Sequence, residues 1–515
     1  MLSHRFPCGV DAHGRTLWAS QSAFTEVDVS LADLFHRLLD CLDHENGAEM
    51  RYAAWLDSAS ARKPGGAPSR WSVLVFPSEV LRYEQAGSPD PRVHHLGPDA
   101  HTEEPVSGTI LDVLEERLKC STPSGASGSA PPRNADSRIP AFARSLVGAW
   151  FGYFGYEVKA DLDSPNEYSA ETPDAVWMKA TRLVLVDHDA EEVWVLGDSV
   201  WLDLVSRAEE SLPSITATQD SAIPKPGFAC PEREEYICAV REALGEIRDG
   251  NSYEVCLTAE AGGIVEAPFG LDEALALYRQ QRQANPAPYA AFLWCDDIAV
   301  LSSSPERFLS VASDGWCETK PIKGTTPRCD DAEKDSRAAR ALAVDPKTRA
   351  ENLMIVDLLR NDFSRVCDPA TIQVPVLMGV ESYATVHQLV STIRGRLLPG
   401  RSALDLVRSC FPGGSMTGAP KPRTMKIIER LEGRARGVYS GALGYLSPTG
   451  EADLSIVIRT LVLSAETQSR TRISVSAGGA IVADSDPEAE YEEMLAKLRA
   501  PFREASSLPK SVSTA

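Results

Sequence analysis

Residues 437–447 read GVYSGALGYLS, residues 454–464 read LSIVIRTLVLS and residues 472–482 read RISVSAGGAIV. Each run is rich in β-branched and apolar residues and is bounded by turn-forming positions, the pattern of successive strands. Strands joined by such short connections pair antiparallel, because a parallel partner needs a crossover of about a dozen residues. Upstream, AAFLWC (290–295) and AVLSSS (299–304) predict neighbouring strands across the Asp296–Asp297 turn. REEYICAVREALGEIRDG (233–250) predicts an amphipathic helix ending near Gly250. A largely antiparallel sheet with helices laid on it is expected, which places the chain in the α+β class.

The chain has 515 residues, 43% hydrophobic and 24% charged, a globular composition that excludes wholesale disorder. Its 52 Lys and Arg face 73 Asp and Glu, a net charge of −21 that opposes nucleic acid and anionic membranes as partners. The eleven cysteines are scattered, with no C-x-x-C pair and no zinc spacing. Reduced thiols in a cytoplasmic protein are therefore expected. The start, MLSHRFPCGVDAHG, lacks the apolar core of a secretory signal, and no apolar run reaches membrane-spanning length.

Two segments interrupt the globular pattern. CSTPSGASGSAPPRNADSR (120–138) has the composition of a mobile insertion, and LPSITATQDSAIPKPGF (212–228) that of a connector. They divide the chain into an N-terminal region (1–215), a second region (228–503) and a flexible tail (504–515). Ahead of the connector, WSVLVF (71–76), RLVLVD (182–187) and VWVLGD (193–198) predict strands mixed with helices such as LADLFHRLLDCLD (31–43).

Several motifs carry chemistry, each with a plainer reading beside it. FPGGSMTGAPK (411–421) runs into a helix whose free N–H groups suit an anion. It lacks the Gly-Lys-Ser/Thr of a nucleotide loop, and a glycine turn capping a helix reads equally well. Glu351 precedes the apolar run LMIVDLL, where a carboxylate must be paired, hydrogen-bonded or metal-bound. Glu490, Glu493 and Lys497 share one helical stripe, the pattern of a hard-cation site and also of an ordinary solvated face. Lys323, in PIKGT (321–325), sits among small and apolar neighbours that can lower a lysine pKa and make it a nucleophile. His387 and Glu306 are candidate acid–base groups whose default role is structural.

In order, SYEVCLT (252–258), SSSPERF (302–308), PIKGT, AENLMIVDLLRND (350–362), ATVHQLVS (384–391), GGSMTGAPK (413–421), YSGALGY (439–445), VIRT (457–460), SAGG (476–479) and EYEEMLAK (490–497) resemble the chorismate-utilising enzymes. The resemblance covers about residues 230–501. RYAAWLDSAS (51–60) and GYFGYEVKADL (152–162) are similar to the N-terminal region of the anthranilate and aminodeoxychorismate branch. Family members that add water at C2 carry a base lysine where this chain has Glu254, and anthranilate synthases read PIAGT where it has PIKGT. The resemblance is thus to the aminodeoxychorismate synthase component I branch, with anthranilate synthase component I or another chorismate-aminating enzyme of secondary metabolism as the alternative.

That resemblance implies a large, mainly antiparallel β-sheet sandwich with helices on the outside. It implies Mg²⁺ held by Glu351 and Glu493 with Glu490 nearby. Lys323 attacks chorismate at C2, Glu306 protonates the leaving C4 hydroxyl, and ammonia then adds at C4, giving 4-amino-4-deoxychorismate for 4-aminobenzoate and folate. His387 matches a family active-site histidine. Thr417, Gly418, Tyr445, Arg459, Gly478, Gly479 and Lys497 match substrate-pocket positions, although Ala480 stands where a third glycine is frequent. No G-x-C-x-G glutaminase elbow occurs, so a glutamine amidotransferase partner or domain is expected to supply ammonia. Asp57, Ser58, Pro288 and Tyr289 match a tryptophan site of related N-terminal regions.

Overall fold

The computed structural model describes residues 4–10, 16–23, 31–46, 50–57, 70–87, 92–96, 103–106, 108–120, 139–210, 229–383, 386–499 and 501. The expected insertion beyond Cys120, the connector 212–228 and the tail 504–515 lie outside these residues. The strand pairings among the described residues are antiparallel, including both hairpins expected from sequence, Tyr289–Cys295 with Ile298–Ser304 and Thr460–Thr467 with Arg470–Ile481.

Two long strands build the sandwich. Trp71–Glu84 pairs through its first half with Tyr52–Asp57 and through its second with Arg92–Leu96. Ala175–Asp187 follows it throughout, with bulges on either side of Pro77. Proline has no N–H to give the ladder, so the break falls there and both strands pass from one sheet layer into the other. One layer continues through Tyr289–Cys295, Ile298–Ser304, Thr460–Thr467 and Arg470–Ile481 to Glu254–Val265. The other continues through Trp150–Phe154, Ala442–Leu446, Ala452–Ile456, Arg307–Val311 and Trp316–Lys320 to Val386–Arg396.

Side chains alternate along a strand, and here both faces are covered, which is why WSVLVF and RLVLVD are apolar without interruption. Val73, Val75, Phe151, Tyr153, Met178 and Leu293 fill the space between the layers. Their sequence neighbours point outward: Leu74, Phe76 and Phe292 pack under helices Leu31–Asn46, Ser199–Glu210 and Leu271–Ala284. On the opposite outer face Trp150, Phe154 and Trp177 meet helices Ile110–Cys120 and Ala403–Cys410, together with Ile355 and Leu359 of helix Pro346–Ser364.

Candidate active site

The site assembles where several motifs end. Strand Ile322–Pro327 slips register against Val386–Arg396 between Ile322 and Thr325, so Lys323 and Gly324 lie in a bulge. Gly324 has φ +83, and a Cβ there would come within 2.3 Å of the Thr348 side chain. Only glycine fits the bend that re-aims Lys323 into the interior. The Lys323 ammonium donates to the Glu254 carboxylate at 2.7 Å, and both side chains are buried. Burial would push the lysine pKa down, but Glu254 and then Glu351 outweigh it and hold Lys323 well above its ordinary value. The lowering expected from apolar neighbours is thus reversed by two carboxylates brought from other motifs.

Glu306 lies beyond strand Ile298–Ser304 and accepts from the Ser415 hydroxyl at 2.8 Å. Burial pushes its pKa up to about 7, against the opposing pull of that bond and of Lys323. A carboxyl that keeps its proton near neutrality is suited to general acid work. The loop carrying Ser415 is fixed by Lys421, whose ammonium donates to Asp362 at 2.7 Å and to the Cys410 carbonyl at 2.8 Å. Thr417 is buried, its hydroxyl donates back to the Gly413 carbonyl at 3.2 Å, and its own carbonyl accepts from Cys256 N–H at 2.8 Å. Gly418 has φ +143, and a Cβ would stand 1.9 Å from the Glu254 carbonyl oxygen. Its backbone therefore lies directly against the strand that bears Glu254.

Arg459 follows strand Ala452–Ile456 at φ +54, and its guanidinium has no carboxylate partner among the described residues. Burial lowers its pKa, with Tyr439 and Glu493 opposing. A half-buried guanidinium without a carboxylate partner is a prepared place for an anionic ligand. Gly478 and Gly479 face Thr258 and Leu257 across the ladder. A Cβ on Gly479 would come within 2.8 Å of the Glu490 carboxylate. Lys497 donates to the Gly478 carbonyl at 2.9 Å and pairs with Glu493 at 2.6 Å.

Three acids expected at a metal face one region. Lys347 sits 3.1 Å from Glu490 and 3.9 Å from Glu351, and the Glu351 carboxylate makes no hydrogen bond among the described residues. Burial raises the Glu351 pKa, and Glu254 and Glu490 add to the rise against Lys323 and Lys347. These oxygen donors suit a hard divalent cation in chemistry, although no three His, Cys, Asp or Glu among the described residues converge as a cage.

Two expected residues form no hydrogen bond or ion pair with this cluster among the described residues. His387 is buried with Nε2 3.0 Å from Asp335 and Nδ1 2.7 Å from the Ser382 hydroxyl. Nε2 ties the ring to helix Ala332–Val344, and Nδ1 ties it to the end of strand Gln373–Ser382. Tyr445 is a correction: it stacks on Phe151 between the layers and lines a cavity of about 290 Å³ with Asp57, Trp71, Pro288, Tyr289 and Arg307. The alternation of strand Ala442–Leu446 puts Leu443 and Tyr445 inward. Tyr439, just before this strand, packs on the outer face with Met416 and is the tyrosine that electrostatically faces Arg459. Of the expected tryptophan positions, Asp57, Pro288 and Tyr289 share that inner cavity, and Ser58 lies outside the described residues. Asp57 is already engaged by Arg282, by Tyr278 at 3.3 Å and by Ser72 at 3.4 Å.

The motifs alone did not single out Tyr439, Ser415, Lys347 or the pairing of Glu254. A carboxylate inside the apolar run SYEVCLT was the one visible signal that Glu254 needs a partner.

A family model described as chorismate binding enzyme matches residues 89–503. An aminodeoxychorismate synthase of Streptomyces pristinaespiralis is 42% identical over 459 residues, covering 86% of this chain and 60% of the relative. An aminodeoxychorismate synthase component 1 of Klebsiella aerogenes is 41% identical over 362 residues, covering 68% of this chain and 76% of the relative. The chain spans 60% and 50% of the length of the first two curated relatives it matches. The solved anthranilate synthase component I of Streptococcus pneumoniae superposes with a TM-score of 0.68 at 28% identity, over 85% of this chain and 93% of that one.

Proposed function

This chain belongs to the chorismate-binding enzyme family, and from that premise we propose that it aminates chorismate at C4, releasing 4-amino-4-deoxychorismate and water. The observation that carries this reading is Lys323: a buried lysine, aimed inward by a glycine bulge, in the field of both Glu306 and Glu351. Its amine attacks C2 while Glu306 gives a proton to the departing C4 hydroxyl. Ammonia then attacks C4 and expels the lysine amine, so each displacement breaks one bond as it forms another. With C2 occupied, nitrogen is directed to C4.

Arg459 and the Gly478–Gly479 backbone receive the substrate carboxylates, and Tyr439 replaces Tyr445 as the aromatic neighbour of that arginine. Glu351 and Glu493, with Glu490 beside them, would hold Mg²⁺, which supplies charge neutralisation for a substrate carboxylate. Ammonia comes from glutamine through an amidotransferase partner or domain, and the product serves 4-aminobenzoate and folate synthesis. In the inner cavity, Trp71, Tyr289 and Tyr445 offer aromatic walls for tryptophan. With Asp57 already paired, such binding rests on stacking.

Incubation of the protein with chorismate, Mg²⁺ and ammonium, followed by product identification, tests the reading. 4-Amino-4-deoxychorismate is expected. Anthranilate with pyruvate would assign the chain to the neighbouring branch.

A further inference from the structure

We propose that Glu254 is the proton acceptor that turns Lys323 from an ammonium into the attacking amine. The inference rests on the reading of Lys323 as nucleophile and adds the group that makes it one. A lysine held protonated has no lone pair to offer, so the reaction needs a base within reach of Nζ. Glu254 Oε1 stands 2.7 Å away, and among the described residues it is the carboxylate hydrogen-bonded to that nitrogen. Its other oxygen, Oε2, is buried with no hydrogen-bond partner among the described residues. Among the described residues no other side-chain donor competes for this carboxylate, so the Lys323 ammonium is the group placed to pass it a proton.

The remaining charged and titratable groups around Lys323 are fitted to other tasks. Cys256 lies two residues along the strand from Glu254, Glu351 on helix Pro346–Ser364, Glu493 on helix Pro487–Arg499 and Glu306 at the turn before strand Arg307–Val311. Glu306 already carries the proton destined for the leaving hydroxyl, while Glu351 and Glu493 pair with Lys347 at 3.9 Å and Lys497 at 2.6 Å and neither is hydrogen-bonded to Lys323 among the described residues. Strand pairing of Glu254 with Ala419 and Val255 with Gly418 keeps the base fixed against the glycine-rich loop.

The proton balance closes. Lys323 ammonium and Glu254 carboxylate become amine and carboxylic acid. The amine bonds to C2 as a charged secondary ammonium while water leaves C4 with the Glu306 proton. Ammonia bonds to C4 and the lysine departs as neutral amine. Glu254 then returns its proton to Lys323, and the new C4 ammonium restores the proton of Glu306.

The test is formation of the Lys323 adduct in the absence of ammonia, followed by intact-protein mass spectrometry across pH. The adduct mass is chorismate less water. In Glu254→Gln the rising limb of the rate should move to higher pH by about one unit or more. Its maximum should fall about 100-fold, because Glu306 loses its proton over the same range. Glu254→Asp keeps a carboxylate and should retain the wild-type limb at a reduced rate, which also covers the case of a poorly folded glutamine variant. An unmoved limb in Glu254→Gln, or an alkaline limb in Glu254→Asp, overturns the assignment of Glu254. Wild-type protein that aminates chorismate yet never forms an adduct overturns the nucleophile reading instead.

Discussion

The Arg436 guanidinium donates to the Met416 carbonyl at 2.7 Å, tying the segment ahead of strand Ala442–Leu446 to the glycine-rich loop. The same group donates to the Cys256 carbonyl at 2.8 Å and to Glu432 at 2.6 Å, and its plane lies over the Tyr156 ring at 4.5 Å. Glu157 accepts from the backbone N–H groups of Arg436 and Gly437 at 2.8 and 3.0 Å. The GYFGYEVKADL motif of the N-terminal region thereby reaches the loop that holds Ser415 and Thr417.

Arg436→Met is expected to destabilise the protein by about 3–5 kcal/mol, because Glu432 would remain as a buried, unpaired charge. Arg436→Lys should recover only part of the loss, since one ammonium cannot serve two carbonyls and a bidentate carboxylate from a single position. Denaturant unfolding at neutral pH measures both. A lysine variant as stable as wild type would remove the planar fork from the explanation.

Lys323→Ala should lose C4 amination by about a thousandfold or more, as expected when a nucleophile is deleted. Chorismate affinity should change little, because Arg459 and the glycine backbone remain. Calorimetric titration alongside product chromatography separates the two effects. Undiminished 4-amino-4-deoxychorismate from this variant would rule out the covalent route.

The pH dependence of Glu306 has a defined sign. Its folded pKa, about 7, lies above the ordinary carboxyl value of 4.5, so the native state holds an extra proton between these values. The stabilisation from this group is complete at acid pH and fades as pH rises from about 4.5 through about 7. Catalysis should fall over the upper part of that window as the acid ionises. Glu306→Gln should lower the maximal rate by about 100-fold or more and abolish that falling limb. A variant with the wild-type limb would assign the ionisation elsewhere.

Gly418→Ala should be damaging out of proportion to one methyl group. The residue's φ of +143 strains any side chain, and the added Cβ would meet the Glu254 carbonyl oxygen at 1.9 Å. Forcing these strands apart costs about 1–3 kcal/mol and displaces Glu254 relative to Lys323. Thermal unfolding and adduct formation should therefore both suffer. Gly315→Ala is a control for strain alone, since its φ is +82 and no atom lies within 4 Å of its Cβ position.

Much of this was legible along the chain because it is local. Turn residues and apolar runs placed the hairpin around Asp296–Asp297 and the terminal strands, and ten ordered motifs identified the family before any contact was known. The Glu/Lys stripe of 490–497 lies on one helix, as its spacing predicts. A motif match did not say which side of the sheet a side chain occupies. YSGALGY contains two tyrosines, and Tyr445, the one expected at the substrate pocket, faces the interior of the sandwich.

The sequence by itself determined the strand and helix periods, the acidic surface, the glycine positions that bend the backbone, and the set of chemical groups at hand. Tertiary structure alone decided which groups meet. Glu254 and Lys323 stand 69 positions apart, and their 2.7 Å contact depends on two strands that pair with different neighbours. That contact reverses the direction of the lysine pKa, because electrostatic coupling depends on distance in space and on burial, neither of which is written in local residue order.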